Sequence, residues 1–120
     1  EQAITQGMEF FCDDRIAVVW LTTELMDRFN GRVESADFNG LASLPRQVEG
    51  VLLGATVKQK GPTTFKVSVR TAEPINAGSV CALFGGGGHA RAAGCTIEGS
   101  IEFVKAKLLP VFEKALKANE

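Results

Sequence analysis

With 120 residues, a formal net charge of −1 and a pI near 5.9, the chain has room for one ordinary core and no second domain. That charge balance argues against a general duplex-DNA binder, which carries a basic domain, but leaves room for a pocket holding one small anionic nucleotide. Apolar residues make up 45% and charged residues 22%, as in soluble globular domains, and no apolar run approaches the ~18 residues of a membrane span. Glu1-Gln2-Ala3 lacks a basic segment, so no secretory signal is expected, and without an initiator Met the chain reads as a piece of something longer. Cys12, Cys81 and Cys95 are odd in number and form no CxxC, which reads as reduced thiols in a cytoplasmic protein. Cys81, in an apolar run, reads as a small buried hydrophobe.

Residues 7–12 predict a short strand, and Asp13-Asp14-Arg15 a turn. The nearly continuous apolar run 16–22 predicts a central strand covered on both faces, with Trp20 in the core or packed against a second lobe, a stacking role being the alternative. Thr22 or Thr23 can cap a helix over 24–30 that Gly31 ends. Residues 35–44 predict a second helix, stopped by Pro45. Arg46 follows in an otherwise apolar neighbourhood and by itself reads as a solvated loop charge. Residues 51–60 and 63–71 predict a hairpin through Gly61-Pro62. In its second strand Phe65, Val67 and Val69 alternate with Lys66, Ser68 and Arg70, which puts the last three on one face. Periodicity alone favours a solvated surface there; the other reading is a Ser68–Arg70 donor pair aimed at a phosphate.

Asn76 predicts the cap of a helix over 77–84, ended by Gly85. Residues 94–98 predict a short strand, and Ser100 caps a last helix over 101–118. Its apolar stripe is Ile101, Val104, Leu108, Phe112 and Ala115, and Pro110 is expected to kink or divide it. The sum is an α/β single domain with a five-stranded mixed sheet layered by helices.

Between the last two elements lie Gly85, Gly86, Gly87 and Gly88, then His89, the only histidine, and then Ala90-Arg91-Ala92-Ala93-Gly94. Bare backbone lets a ligand approach closely, and successive free N–H groups can form an anion-binding nest. A flexible linker is usually polar on both sides, whereas this run is clamped between apolar segments. Ala92, Ala93 and Gly94 let a second segment pack tightly against it. For a lone histidine the default role is a hydrogen bond that anchors the loop, and for Arg91 a solvated charge.

The stretch from Gly85 to Ser100, with Phe65-Lys66-Val67-Ser68-Val69-Arg70 and Leu44-Pro45-Arg46-Gln47-Val48-Glu49-Gly50-Val51 upstream, resembles the DHH-associated C-terminal domain of the DHH phosphoesterases. It resembles most the oligoribonuclease (nanoRNase)/pAp-phosphatase branch. A related module in alanyl-tRNA synthetase follows its Gly-rich run with an Arg-Pro-type segment, from which Gly88-His89-Ala90-Arg91 departs. The resemblance covers the chain from about Ile16 onward and implies a substrate-binding lobe over residues 1–120 whose catalytic DHH lobe lies outside this chain.

Two-metal phosphoester hydrolysis needs clustered carboxylates and histidines, and this chain has one histidine and no Asp-His-His triplet. The resemblance therefore implies manganese (Mn2+) in the other lobe, and a chain that binds substrate without cleaving it. The implied ligands are short oligoribonucleotides, dinucleotides or pAp, and any homodimer of the full-length protein would form mainly through the other lobe. On the resemblance Arg70, Gly85, Gly86, Gly87, Gly88 and His89 lead the candidate contacts, His89 also facing the leaving group, with Ser68, Arg46 and Arg91 second. A free-standing RNA-end or nucleotide-binding module without catalysis is the alternative, and a loop of purely structural glycines a third reading.

Overall fold

The computed structural model describes residues 8–27 and 44–118. Its elements run β1 (Met8–Phe11), β2 (Ile16–Leu21), α1 (Thr23–Asp27), α2 (Leu44–Gln47), β3 (Leu53–Gly61), β4 (Thr64–Thr71), α3 (Ala77–Ala82), β5 (Gly87–Gly88), β6 (Ala92–Glu98) and α4 (Ile101–Ala118). The caps expected from the sequence are present. Thr22 Oγ1 accepts from Leu25 N at 3.2 Å, Asn76 Oδ1 from Ser79 N at 2.9 Å and Ser100 Oγ from Phe103 N at 3.1 Å. The turn after β1 holds Cys12, Asp13 and Asp14 all at positive φ, 55°, 58° and 64°.

The six described strands form one sheet in the order β1-β2-β3-β4-β6-β5. β2 and β3 are parallel and the other neighbours antiparallel, so the sheet is mixed. One face is apolar. Ile16, Val18 and Trp20, Leu53, Ala55 and Val57, Phe65, Val67 and Val69, and Ala93, Cys95 and Ile97 form a single cluster with Ala77, Val80 and Cys81 of α3 and with α4. From α4 come Val104, Leu108, Phe112 and Leu116, spaced one turn apart and almost completely buried. Trp20 lies in this core with the Lys105 ammonium 4.9 Å from its ring centre. No described helix is long and apolar enough to cross a membrane.

The opposite face changes character halfway across. Toward β2 and β3 it is buried, and α2 sits so close that a Cβ on Gly54 would lie 2.7 Å from the Arg46 nitrogen. Toward β4, β6 and β5 it opens, with Lys66, Thr96, Gly87 and His89 exposed.

Three details depart from the sequence reading. A sixth strand exists because Gly87 and Gly88 pair with Gly94 and Ala93. Pro45 does not end structure: it stands second in α2, where the missing N–H of a proline is tolerated because first-turn amides have no helical partner. Pro110 does not divide α4, which runs unbroken for 18 residues. Its exposed position turns the lost hydrogen bond toward water, while the buried stripe on either side holds both halves in line. The expected helix over 35–44 and the end of α1 with Gly31 lie outside the described residues, apart from Leu44, which begins α2.

Candidate functional site

Strand register decides which side chains share the open face. Arg70 pairs with Gly54 on one side and Ala92 on the other; Ser68 pairs with Thr56 and Gly94. Gly87 pairs with Gly94. His89 and Ala92 exchange both backbone hydrogen bonds, 2.7 and 3.3 Å, so the hairpin turns on Ala90 and Arg91 alone. Two parallel rows result. His89–Ala92–Arg70 is one, and Gly87–Gly94–Ser68 is the other, one pleat (about 7 Å) away. His89 and Arg70 stand two strands apart, about 10 Å, with only the methyl of Ala92 between them.

The two rows differ from their surroundings in what they leave unused. The Arg70 guanidinium makes one long contact, 3.4 Å to the carbonyl of its neighbour Val69, and no ion pair among the described residues. His89 is exposed, and its imidazole makes no hydrogen bond among the described residues. Ser68 is 9% exposed, and its hydroxyl likewise has no partner there. A planar cationic fork, an imidazole and a hydroxyl therefore face one side-chain-poor strip, a donor set suited to phosphate oxygens.

The remaining candidates stand elsewhere. Arg91 turns back from the hairpin tip and donates to the carbonyls of Thr71 at 3.2 Å and Ile75 at 2.7 Å. Thr71 Oγ1 reinforces the clamp, donating within 2.7 Å of the Ile75 carbonyl and 3.0 Å of the Ala90 carbonyl. Arg46, in α2, donates to the Val51 carbonyl at 2.9 Å, so it is no solvated loop charge.

The glycine run is not a nest of free amides. Gly85 N donates to the Ala82 carbonyl and Gly86 N to the Cys81 carbonyl, the pair of bonds that closes a helix on a left-handed glycine, here Gly85 at φ 83°. His89 N is taken by Ala92. Pairing with β6 engages the Gly87 amide, while the Gly88 N–H, in the non-hydrogen-bonded pair with Ala93, points to the outer edge of β5. The tight packing expected of Ala92, Ala93 and Gly94 is present: a Cβ on Gly86 would collide with the Gly94 carbonyl and with Cys95, and one on Gly88 with Ala92 and Ala93.

Behind the loop, Cys81 of α3 and Cys95 of β6 are buried free thiols in contact. Cys81 donates its S–H to the Cys95 sulfur, and that bond together with burial pushes Cys81 far up. The same bond draws Cys95 down against the effect of burial. No three His, Cys, Asp or Glu side chains converge among the described residues, so no metal-borne step is derived from them.

The sequence model of the DHHA1 domain matches residues 14–118. The chain belongs to the DHHA1 domain family. Three solved structures share the fold of this DHHA1 domain. An exopolyphosphatase-related protein from Bacteroides fragilis has a TM-score of 0.77 at 24% identity, covering 98% of this chain and 33% of that one. A pGpG-specific phosphodiesterase from Vibrio cholerae has a TM-score of 0.63 at 14% identity, covering 99% of this chain and 38% of that one. The C-Ala domain of alanyl-tRNA synthetase from Aquifex aeolicus has a TM-score of 0.59 at 18% identity, covering 91% and 96% respectively. The DHHA1 domain thus spans little more than a third of the first two proteins. The sequence reading gave Gly94 a packing role and passed over Thr71; the pairing of Gly94 with Gly87 is revealed only by the register.

Proposed function

We propose that this DHHA1 domain is the substrate-gripping lobe of a DHH phosphoesterase acting on short 5′-phosphorylated oligoribonucleotides, dinucleotides or pAp. The observation that carries this is the row His89–Ala92–Arg70, which presents on one open face a guanidinium with no ion pair and an imidazole with no hydrogen bond among the described residues. Arg70 offers a bidentate fork to two phosphate oxygens. His89, across the Ala92 methyl, donates to a third oxygen or to the oxygen that leaves when the ester breaks. The glycine run contributes a bare strand edge with the Gly88 N–H on its outer side, so no base is read and short substrates of any sequence fit. Cleavage belongs to the catalytic lobe, where manganese would supply a metal-activated water. The family likeness, and a neighbour of the same fold that is a pGpG-specific phosphodiesterase, support the substrate class.

The test is an amide-shift titration of the chain with 5′-phosphorylated diadenylate. Shifts gathered at residues 85–92 and at Arg70, abolished by Arg70→Ala, are the expected result. Shifts elsewhere, or a flat titration that stays flat with the catalytic lobe joined to the chain, would overturn the proposal.

A further inference from the structure

Two of the three cysteines are neighbours across two elements. Cys81 stands in α3 and Cys95 in β6, both buried as free thiols, and Cys81 donates its S–H to the Cys95 sulfur. The chain between them, residues 82–94, is the whole glycine–histidine segment. Its root is tied to the pair: Gly86 N donates to the Cys81 carbonyl at 3.0 Å, and a Cβ on Gly86 would lie 2.6 Å from the Cys95 Cβ. Cys12 is remote, just past the end of β1, with β2, β3 and β4 between that strand and β6.

The two sulfurs are not equivalent. Cys81 has no exposed surface, whereas Cys95 keeps 8% beside the two-residue strand β5. Cys95 also accepts the thiol hydrogen bond, which draws its pKa below the ordinary value against the effect of burial, while the same bond pushes Cys81 up. The thiolate is the form that attacks an oxidant, so the sulfur that a small molecule can reach is also the readier of the two to react. Packing as a small hydrophobe asks for no second thiol in contact; a disulfide does.

We infer that Cys95 is a site of oxidation by hydrogen peroxide, with Cys81 as the resolving thiol that closes a Cys81–Cys95 disulfide. The Cys95 thiol gives up its proton and its sulfur attacks one peroxide oxygen. The O–O bond breaks, the released hydroxide combines with that proton as water, and Cys95 is left as the sulfenic acid. The Cys81 sulfur then attacks the Cys95 sulfur. The S–S bond forms as S–O breaks, and the second hydroxide leaves with the Cys81 proton as water. Two electrons pass from the sulfurs to the peroxide, and a dithiol reductant restores both thiols. The bond closes residues 82–94 into a loop fixed at its root, so β5 has less freedom to gain by leaving β6. None of this depends on the phosphate grip proposed above.

The experiment treats the reduced, folded chain with stoichiometric hydrogen peroxide and reads it by mass, by peptide mapping without reductant and by hydrogen exchange. The expected product is lighter by two hydrogens and yields a peptide joining Cys81 to Cys95. Its amides at 86–92 should exchange about threefold to tenfold more slowly, and dithiothreitol should reverse every change. Cys12→Ser should leave the closure as it is. In Cys81→Ala the reaction should stop at the sulfenic acid, captured on Cys95 by dimedone; if that variant does not fold, the joined peptide of the wild type decides alone. Oxygen gained at Cys95 while Cys81 stays a thiol overturns the inference. So does oxidation confined to Cys12, or a Cys81–Cys95 bond that forms only in urea.

Discussion

Strands β4 and β6 carry two faces with opposite economies. On one, Phe65, Val67, Val69, Cys95 and Ile97 are packed under α3 and α4 with almost nothing left exposed. On the other, Ser68, Arg70 and Gly94 alternate with them residue by residue and leave, among the described residues, a hydroxyl without a hydrogen bond and a guanidinium with one long contact to Val69. The same backbone serves both, so the packed face fixes where the open face points. The open face can then hold polar groups ready for a ligand while stability is secured on its other side.

The comparison breaks most visibly on the packed side. Phe112→Ala, which empties a fully buried position in α4, should cost about 3–5 kcal/mol in urea unfolding. Gly86→Ala, which forces a methyl into the Gly94 carbonyl and Cys95, should cost about 1–3 kcal/mol and loosen β5 from β6 in hydrogen exchange. Arg91→Ala removes two donors from backbone carbonyls and should cost about 2 kcal/mol, with phosphate affinity lowered only as far as the hairpin tip loosens.

A smaller effect comes from the thiol pair. Unfolded, both thiols lose their protons as pH climbs past about 8.5; folded, Cys81 keeps its own because it donates to Cys95 and is buried. The native state then binds more protons than the unfolded one, so stability falls as pH rises, only in part offset by Cys95, whose shift has the opposite sign. The urea midpoint should decline more steeply between about pH 8.5 and 10 in the wild type than in Cys81→Ala. The smallest stability change sharpens the contrast: Arg70→Ala should alter unfolding by no more than about 0.5 kcal/mol while lowering affinity for 5′-phosphorylated diadenylate by tenfold or more. A large loss of stability from Arg70→Ala would place that side chain in the structural economy.

What was legible in the sequence follows the same division. The alternation 65–70 assigned its residues in β4 to faces, the strand 16–22 stood out because apolar and β-branched residues cluster where both faces are covered, and 51–60 was read from the turn that joins it to 63–71. β5 was not legible, since two glycines have no side-chain pattern to read and become a strand only by pairing with β6. Pro45 and Pro110 misled because proline marks a missing donor, and whether that breaks a helix depends on what the donor would have faced. For the site, Arg70 and Arg91 look alike in the sequence. Their difference lies in carbonyls 16 and 20 residues upstream of Arg91, contacts that no local pattern announces. A nest of four free amides was not to be read from the glycines for a related reason, since the partners of Gly85, Gly86 and Gly87 sit at a helix end and across a hairpin, which leaves the Gly88 N–H on the outer edge.

The hairpin that turns on Ala90 and Arg91 has a consequence for anyone who would engineer this domain. A run of four glycines looks like the natural place to splice in a tag or a fluorophore. Yet its two-residue tip is closed by paired bonds between His89 and Ala92 and tied down by Arg91 and Thr71, so there is no slack to take up an insert. One added residue before the tip would slide β5 by one position and exchange which of its residues face each side, turning His89 from the open face to the packed one. The Pro62–Thr63 turn between β3 and β4, exposed and opposite a register shift between Gln59 and Gly61, already absorbs an irregularity and is the better place to cut.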